Sequence, residues 1–221
     1  DTTDPNYNGS GRTYVAWQWK TQGGAGSSNT DGSINTTTTS VNQAAGFSIN
    51  TYTGTKSNAT VGHGLGAVPK MILIKDTTNT ESWIVYHEAV GNDGNLYLNL
   101  TSAKVTQAAF QNTTPTSSVF SIGTTDGVNK ASAVHVAYCF AEVEGFSSFG
   151  GYTGNGSTDG TFVSTGFKPA FVLLKRTNAT QEWQMYDTQR DPFNVANHKL
   201  EANSSGAESI LTGDNNLDFL S

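Results

Sequence analysis

The segment Gly46-Phe-Ser-Ile-Asn-Thr-Tyr-Thr-Gly54 decides the fold, because it returns later in the chain as Gly145-Phe-Ser-Ser-Phe-Gly-Gly-Tyr-Thr-Gly154. After a single inserted residue, the two copies stay in step 100 positions apart. The residues that are identical at this spacing are Pro69 and Pro169, Lys75 and Lys175, Thr77 and Thr177, Trp83 and Trp183, and Tyr86 and Tyr186. Self-similarity at one fixed spacing indicates an internal repeat.

Each copy contains short apolar runs of the kind that form buried β-strands. The first copy has Met71-Ile-Leu-Ile74 and Trp83-Ile-Val-Tyr86, and the second has Phe171-Val-Leu-Leu174 and Trp183-Gln-Met-Tyr186. These runs are too short for buried helices and are bounded by Pro, Gly and Asn. The sequence therefore predicts an all-β protein of tandem, jelly-roll-like β-sandwich modules, related by the repeat of about 100 residues.

The composition supports this class. Gly (24), Ser (21), Thr (31) and Asn (20) supply 96 of the 221 residues, while charged residues supply 14%. Stable helices need more Ala, Leu, Glu, Lys and Arg than this chain has, whereas Thr and the aromatic residues favour strands and Gly and Asn favour turns. The recurring aromatic residues also argue against intrinsic disorder.

The repeat predicts the domain organisation. Residues 1–45 are expected to form an N-terminal strand followed by a Gly/Ser/Thr-rich linker, residues 46–144 a first β-sandwich repeat, and residues 145–221 a second repeat that lacks its last strand. Residues 21–45 suit an exposed linker, which we favour, or an extended arm on the surface of a partner. A Thr-rich, uncharged segment of this kind can also add as a strand to an exposed sheet edge.

The N-terminal strand matches the end of the first repeat. Thr13-Tyr-Val-Ala-Trp17 resembles Val134-His-Val-Ala-Tyr138, which precedes the second Gly-Phe-Ser. One hypothesis is that the N-terminal strand supplies the missing edge of the second repeat, within the chain or from a neighbouring subunit. The other is that the chain is a piece of a longer repeat array.

Charge and hydropathy limit the expected partners, and the single cysteine is expected to be structural. The net charge is −6 with no cluster of Lys or Arg, so nucleic acid is not an expected partner. No apolar run approaches the ~18 residues of a membrane span, so no membrane partner is expected either. Cys139 is the single cysteine and lies in the most apolar run, which predicts an inert core thiol.

Asp-Gly pairs occur at Asp31, Asp93, Asp126 and Asp159. Their oxygens could bind Ca²⁺, but the spaced ligands of a calcium loop are absent, so we predict hairpin turns in which both residues tolerate positive φ. His63 lies among glycines and is expected to cap a tight turn. The carboxylates of Glu142 and Glu144 are expected on a solvated edge. With no recognisable catalytic motif, we expect no enzyme, no catalytic residues, no metal site and no cofactor.

Two tryptophans could contact a glycan. Trp17 and Trp19 lie on the same face of one predicted strand, and aromatic rings stack on sugars. Together with Asp93, Asp126 and Asp159 they form the candidate glycan-contacting set. Trp83 and Trp183 occupy equivalent positions and are expected to share a packing role.

Several motifs together resemble an uncharacterised repeat domain of tailed-phage virion and tail-fibre-like proteins, common in phages of marine bacteria and cyanobacteria. The motifs are Thr13-Tyr-Val-Ala-Trp-Gln-Trp-Lys20, His63-Gly-Leu-Gly-Ala-Val-Pro-Lys-Met-Ile-Leu-Ile-Lys75, Trp83-Ile-Val-Tyr-His87, Val136-Ala-Tyr-Cys-Phe-Ala-Glu-Val-Glu-Gly-Phe-Ser147 and Tyr152-Thr-Gly-Asn-Gly-Ser157. The resemblance implies a β-rich structural protein of a virus particle and carries no catalytic residue.

Two functions follow as expectations. The first is a non-enzymatic structural protein of a phage virion surface (tail fibre, appendage or capsid decoration), located on the virion or outside the cell. Its expected partners are copies of itself, other virion proteins and the host surface. The alternative is a carbohydrate-binding module that recognises host polysaccharide.

Overall fold

A computed structural model describes residues 4–213 and 216–220 of the chain. This part of the chain forms thirteen β-strands, one short α-helix and two 3-10 turns. No helix within it is long and apolar enough to cross a membrane. The strands are β1 (Thr38–Asn42), β2 (Phe47–Thr53), β3 (Ala59–Gly62), β4 (Pro69–Asp76), β5 (Ile84–His87), β6 (Gly94–Tyr97), β7 (Val105–Thr106), β8 (Val119–Ile122), β9 (Val134–Ala141), β10 (Phe171–Leu174), β11 (Gln184–Asp187), β12 (His198–Glu201) and β13 (Ser209–Ile210). The helix α1 is Asp126–Asn129, and the 3-10 turns are Gln43–Ala45 and Glu88–Val90.

The first sheet has seven strands in the order β1-β2-β9-β4-β5-β6-β7. Strand β9 lies near its middle and pairs antiparallel with β2 on one edge and with β4 on the other. Because β9 comes after β2 and β4 in the chain, it inserts between two strands that precede it by many residues. A separate pair, β3 with β8, covers one face of this sheet.

The main core lies between the first sheet and the β3-β8 pair. Strand β9 contributes small side chains to it, Ala137, Cys139 and Ala141, while neighbouring strands contribute large ones. Small residues on the central strand leave room for the larger rings and branched chains beside it. The large members are Ile34, Tyr52, Val61, Leu65, Ile72, Ile74, Ile84, Tyr86, Phe110, Phe120, Ile122 and Val128.

The second sheet has four strands in the order β10-β11-β12-β13. Its first hairpin has the register of the hairpin β4-β5 shifted by 100 residues: Leu73 pairs with Val85, and Leu173 pairs with Met185. A similar contact occurs in both sheets, although its acceptors are 104 positions apart: the backbone N–H of Trp83 donates to Asn99 Oδ1, and the backbone N–H of Trp183 donates to Asn203 Oδ1.

An inter-sheet cluster joins the two sheets. Met71, Val85 and Leu96 of the first sheet are buried together with Trp183, and Leu173 packs against them. The indole N–H of Trp183 donates to the Tyr97 carbonyl at 2.8 Å. The far side of the second sheet packs on a smaller C-terminal cluster around Tyr186, Ala196 and Phe219.

The predicted all-β, sandwich-like class is confirmed, and one detail of the N-terminal region is corrected. Residues 38–42, which we assigned to an inert linker, form β1 and pair with β2 through five residues. The alternative interpretation, strand addition to a sheet edge, is the correct one there. The loop before β1 lies close to β3, because Gly32 contacts the Thr60 carbonyl where there is no room for a side chain. The boundaries proposed for the two repeats remain predictions.

The Asp-Gly pairs do not form the predicted hairpin turns that use positive φ. None of the four glycines in these pairs has a positive φ. Asp126 and Gly127 lie in α1 instead of a hairpin turn. At Gly32, Gly94 and Gly127 the reason for glycine is close contact, because an added Cβ would lie 2.4, 2.5 and 2.9 Å from neighbouring atoms.

This explanation predicts different outcomes for two matched substitutions. Gly32→Ala should lower the free energy of unfolding by about 1–3 kcal/mol, since the new methyl group meets backbone atoms of Thr60. Gly160→Ala, in another Asp-Gly pair with nothing within 4 Å, should change it by less than about 0.5 kcal/mol. Chemical denaturation measures both, and equal effects would contradict the close-contact explanation.

Candidate functional site

The structure brings Trp17 and Trp19 together at one end of the second sheet. Both rings contact Phe171 in β10, with centroids 5.4 and 6.0 Å from its ring. Trp19 also contacts Phe140 of the first sheet at 6.1 Å. The N-terminal segment therefore bridges β9 and β10 through aromatic contacts, although residues 12–20 are not assigned to a strand.

The surroundings of Trp17 are polar on one side. The Arg190 guanidinium lies 5.9 Å from the Trp17 ring, a cation–π distance. Arg190 is itself held by ion pairs with Asp187 and Glu208, each at 2.8 Å. The indole N–H of Trp17 is buried and has no hydrogen-bond partner. Buried indole N–H groups normally find an acceptor, so the packing of Trp17 is incomplete.

Strand β10 pairs with β11 along one edge. Along its other edge, no strand of the described residues pairs with it. The segment that corresponds to β2, residues 145–154, forms no named strand. Exposure shows the difference: Phe47 is 4% and Tyr52 is 0% exposed, whereas the corresponding Phe146 and Tyr152 are 59% and 54% exposed. In the first sheet β2 is held by β9, and the described residues offer no such strand to the second copy of the motif.

The three aspartates proposed as glycan contacts have bonding partners other than the tryptophans. Asp93 forms an ion pair with Lys104 at 2.6 Å, and Asp126 forms one with Lys56. In both cases the hydrogen bond from the lysine lowers the pKa of the carboxyl group. Asp159 lies in an exposed turn, where its carbonyl accepts from Asn155 Nδ2 at 2.9 Å. No hydrogen bond or ion pair in the described structure joins any two of these aspartates.

Two open depressions, to which no sequence motif points, meet at Leu100. One, of about 340 Å³, is lined by Glu81, Ser82, Tyr97 and Asp126, among others. The second, of about 390 Å³, is lined by polar residues that include Asn99, Thr101, Glu182 and Asn203. Their carboxylates already have partners, Lys130 for Glu81 and Asn203 for Glu182. The pair of depressions offers hydrogen-bonding groups and one aromatic wall to a polar ligand.

Two buried histidines have structural partners. His63 Nδ1 accepts from the Leu65 N–H, and Gly64 and Gly66 have positive φ, so the predicted turn cap is confirmed. Burial lowers the pKa of His63. His135 stacks on Tyr52 with ring centroids 5.2 Å apart, and its Nε2 lies 3.9 Å from the buried Asp76 carboxylate.

Asp76 is a buried carboxylate with several hydrogen-bond donors. It accepts hydrogen bonds from the backbone of Thr78 and Asn79 and from the Asn79 side chain, at 2.7 to 2.9 Å. Burial by itself works to raise its pKa, but these hydrogen bonds and the nearby His135 outweigh that effect and lower the pKa. Asp76 thus ties the end of β4 to the following turn.

The prediction of a buried thiol at Cys139 is confirmed. Its side chain is fully buried in the main core. Burial raises the pKa of Cys139 to about 12, although hydrogen bonds with Ser48 and Asn50 work in the opposite direction.

Trp83 and Trp183 differ more than expected, since Trp183 is buried between the sheets while Trp83 stacks on Tyr138. Glu142 and Glu144 are exposed just beyond the end of β9. Within residues 4–213 and 216–220, no group of three or more His, Cys, Asp and Glu side chains could hold a metal ion.

Comparison with protein families matches residues 1–221 to one family, described as a domain of unknown function (DUF7483). No curated protein and no solved structure matches the chain.

The burial of Cys139 predicts its reactivity. A thiol whose pKa is about 12 is almost wholly protonated at pH 8, and the surrounding core blocks access. Native protein should therefore react with a thiol reagent only as fast as it unfolds, and denaturant should restore ordinary reactivity. Rapid stoichiometric labelling of native protein would contradict the described burial.

The hydrogen bonds of Asp76 predict a pH-dependent contribution to stability. Because folding lowers its pKa, the contribution is present above the unfolded-state value of about 3.9 and is lost as the pH falls through the lower folded-state value. Asp76→Asn should therefore lower the free energy of unfolding at pH 7 by about 2 kcal/mol, and the difference should shrink at acid pH. Asp126→Asn, on an exposed carboxylate, is the control and should change stability little. Denaturant unfolding at several pH values measures both; a pH-independent loss in Asp76→Asn would contradict this role.

Proposed function

Because the chain belongs to the DUF7483 family of domains of unknown function, we propose a function from sequence and structure together: a non-enzymatic structural protein on the surface of a phage particle. It would serve as part of a tail fibre, an appendage or a capsid decoration, on the virion and outside the cell. The association with a phage rests on the resemblance of the motifs described above.

The observation that supports an assembling role is the unfinished edge of the second sheet. β10 has a free edge in the described structure, and the segment that precedes it in the chain exposes several large apolar side chains. These are Phe146, Tyr152, Phe162 and Val163, at 59, 54, 71 and 48% exposure. Open edges and exposed apolar groups favour association with other chains. Copies of the same chain and other virion proteins are the partners that we propose.

Carbohydrate binding is a second candidate, which the two depressions at Leu100 favour. They place Asp126 and Tyr97 beside several amide and hydroxyl groups, a combination suited to sugars. The tryptophans support it less, because both rings pack on Phe171. A glycan array of bacterial polysaccharides tests this candidate with purified protein, and a uniform absence of binding would remove it.

Antibody labelling of purified particles tests the leading proposal. Gold-labelled antibodies against the chain should decorate intact particles at a defined position, and mass spectrometry should find the chain in the same preparation. If a virus encodes the chain but its purified particles do not contain the chain, the proposal is overturned. Labelling a virus without the gene provides the control.

A further inference from the structure

We propose that the second sheet is completed by residues Thr13–Lys20 of a second copy of this chain, which pair as a β-strand with the free edge of β10. This inference rests on the proposed function in one respect: it takes the protein to assemble with copies of itself. It adds the identity of the partner segment and its register.

The first sheet shows what a completed edge looks like. There β9 pairs with β4 so that Phe140 lies opposite Met71, Tyr138 opposite Leu73 and Ala137 opposite Ile74. Phe140 of β9 packs on the inter-sheet cluster, Tyr138 stacks on Trp83, and the small residues pack in the main core. A strand that completes the second sheet would need the same alternation.

The segment Thr13–Lys20 has this alternation. Aligned with β9, it places Val15 and Ala16 on Val136 and Ala137, and it places Trp17 and Trp19 on Tyr138 and Phe140. Gln18 and Lys20 replace Cys139 and Ala141, so the match is carried by the small residue and the alternating aromatic residues. Transferred to β10 through the repeat, this alignment puts Trp19 opposite Phe171 and Trp17 opposite Leu173.

One of the two tryptophan contacts agrees with the alignment, that of Trp19, whereas Trp17, which the alignment puts opposite Leu173, lies with its ring centroid 5.4 Å from that of Phe171. Phe171 is the residue of β10 that should face Trp19, and their rings are in edge-to-face contact at 6.0 Å. Trp19 also touches Phe140, which places it on the inter-sheet side as the alignment requires. The segment therefore already recognises this part of β10 through its side chains.

Within a single copy, the segment does not become a strand. No backbone hydrogen bond joins residues 13–20 to β10 in the described structure, and Trp17 Nε1 is buried without a partner. Both ends are held elsewhere: the Tyr14 hydroxyl donates to the Pro5 carbonyl at 2.8 Å, and Asn42 Nδ2 donates to the Lys20 carbonyl at 3.2 Å.

In a neighbouring copy the same two hydrogen bonds hold the segment to its own chain, and they do not fix its position relative to β10 of the receiving chain. The segment can lie fully along β10 and form the backbone hydrogen bonds that the segment of the same copy does not make. The half-exposed side chains of Tyr14 and Trp19, each 48% exposed, provide apolar area that such pairing would bury. Strand addition between copies therefore gives backbone hydrogen-bond partners both to the free edge of β10 and to residues 13–20.

Cysteine cross-linking between two different chains tests this arrangement. In the proposed register Gln18 lies opposite Val172, as Cys139 lies opposite Ile72 in the first sheet. Directly opposed residues on antiparallel strands are close enough for a disulfide. Gln18→Cys and Val172→Cys are made as separate proteins, mixed, and oxidised with oxidised glutathione. Peptide mapping should find a disulfide between positions 18 and 172 that joins two chains.

Two controls keep the result interpretable. Ser10→Cys, on an exposed residue outside the proposed strand, replaces Gln18→Cys and should give at least several-fold less cross-link to Val172→Cys. The native Cys139 is buried and should not react. If Val172→Cys fails to fold, as judged by circular dichroism, the pair Ala16→Cys and Leu174→Cys tests the same register.

Two outcomes overturn the inference. In the first, the mixed chains give no 18–172 link, while the double variant Gln18→Cys/Val172→Cys links within one chain; the strand then closes its own copy. In the second, neither preparation gives the link, and β10 does not accept this segment. Neither outcome bears on whether particles contain the chain, which antibody labelling measures independently.

Discussion

The pairing of β9 along both of its edges is the interaction on which the rest of the structure depends. Seven residues of β2 and most of β4 pair with this one strand. Each backbone hydrogen bond stabilises the fold by only about 1 kcal/mol net, but together they align the side chains of three strands into one buried face. The small residues Ala137, Cys139 and Ala141 then allow Tyr52, Ile72 and Ile74 to pack closely in the main core.

The second sheet shows what happens without such a strand. Its hairpin β10-β11 keeps the register of β4-β5, because hairpin pairing needs only neighbouring segments of the chain. The segment that corresponds to β2 has no partner strand among the described residues, and its aromatic residues are exposed. The same missing neighbour explains the free edge of β10. The lack of a β9-like strand among residues 4–213 and 216–220 thus accounts for both the irregular segment and the surface that we propose for assembly.

Sequence predicted the features that depend on local pattern. The all-β class, the turn cap at His63 and the buried thiol at Cys139 follow from residue type and immediate neighbours. The insertion of β9 between β2 and β4 could not be predicted, because strand order depends on contacts between residues far apart in the chain. The role of residues 38–42 was misjudged because Thr-rich sequence suits both a linker and an edge strand. The reason for glycine at Gly32, Gly94 and Gly127 could not be predicted, because the atoms that they contact belong to residues distant in the sequence.

Hydrogen exchange measured by mass spectrometry tests the central claim most directly. In dilute protein, where copies do not associate, amides of β2 and β9 should exchange slowly, and those of residues 146–153 should exchange rapidly despite the similar sequence motif. The difference follows from the presence of β9 beside one copy of the motif and the lack of an equivalent strand beside the other. If residues 146–153 were as protected as β2 in the dilute chain, the account would be contradicted.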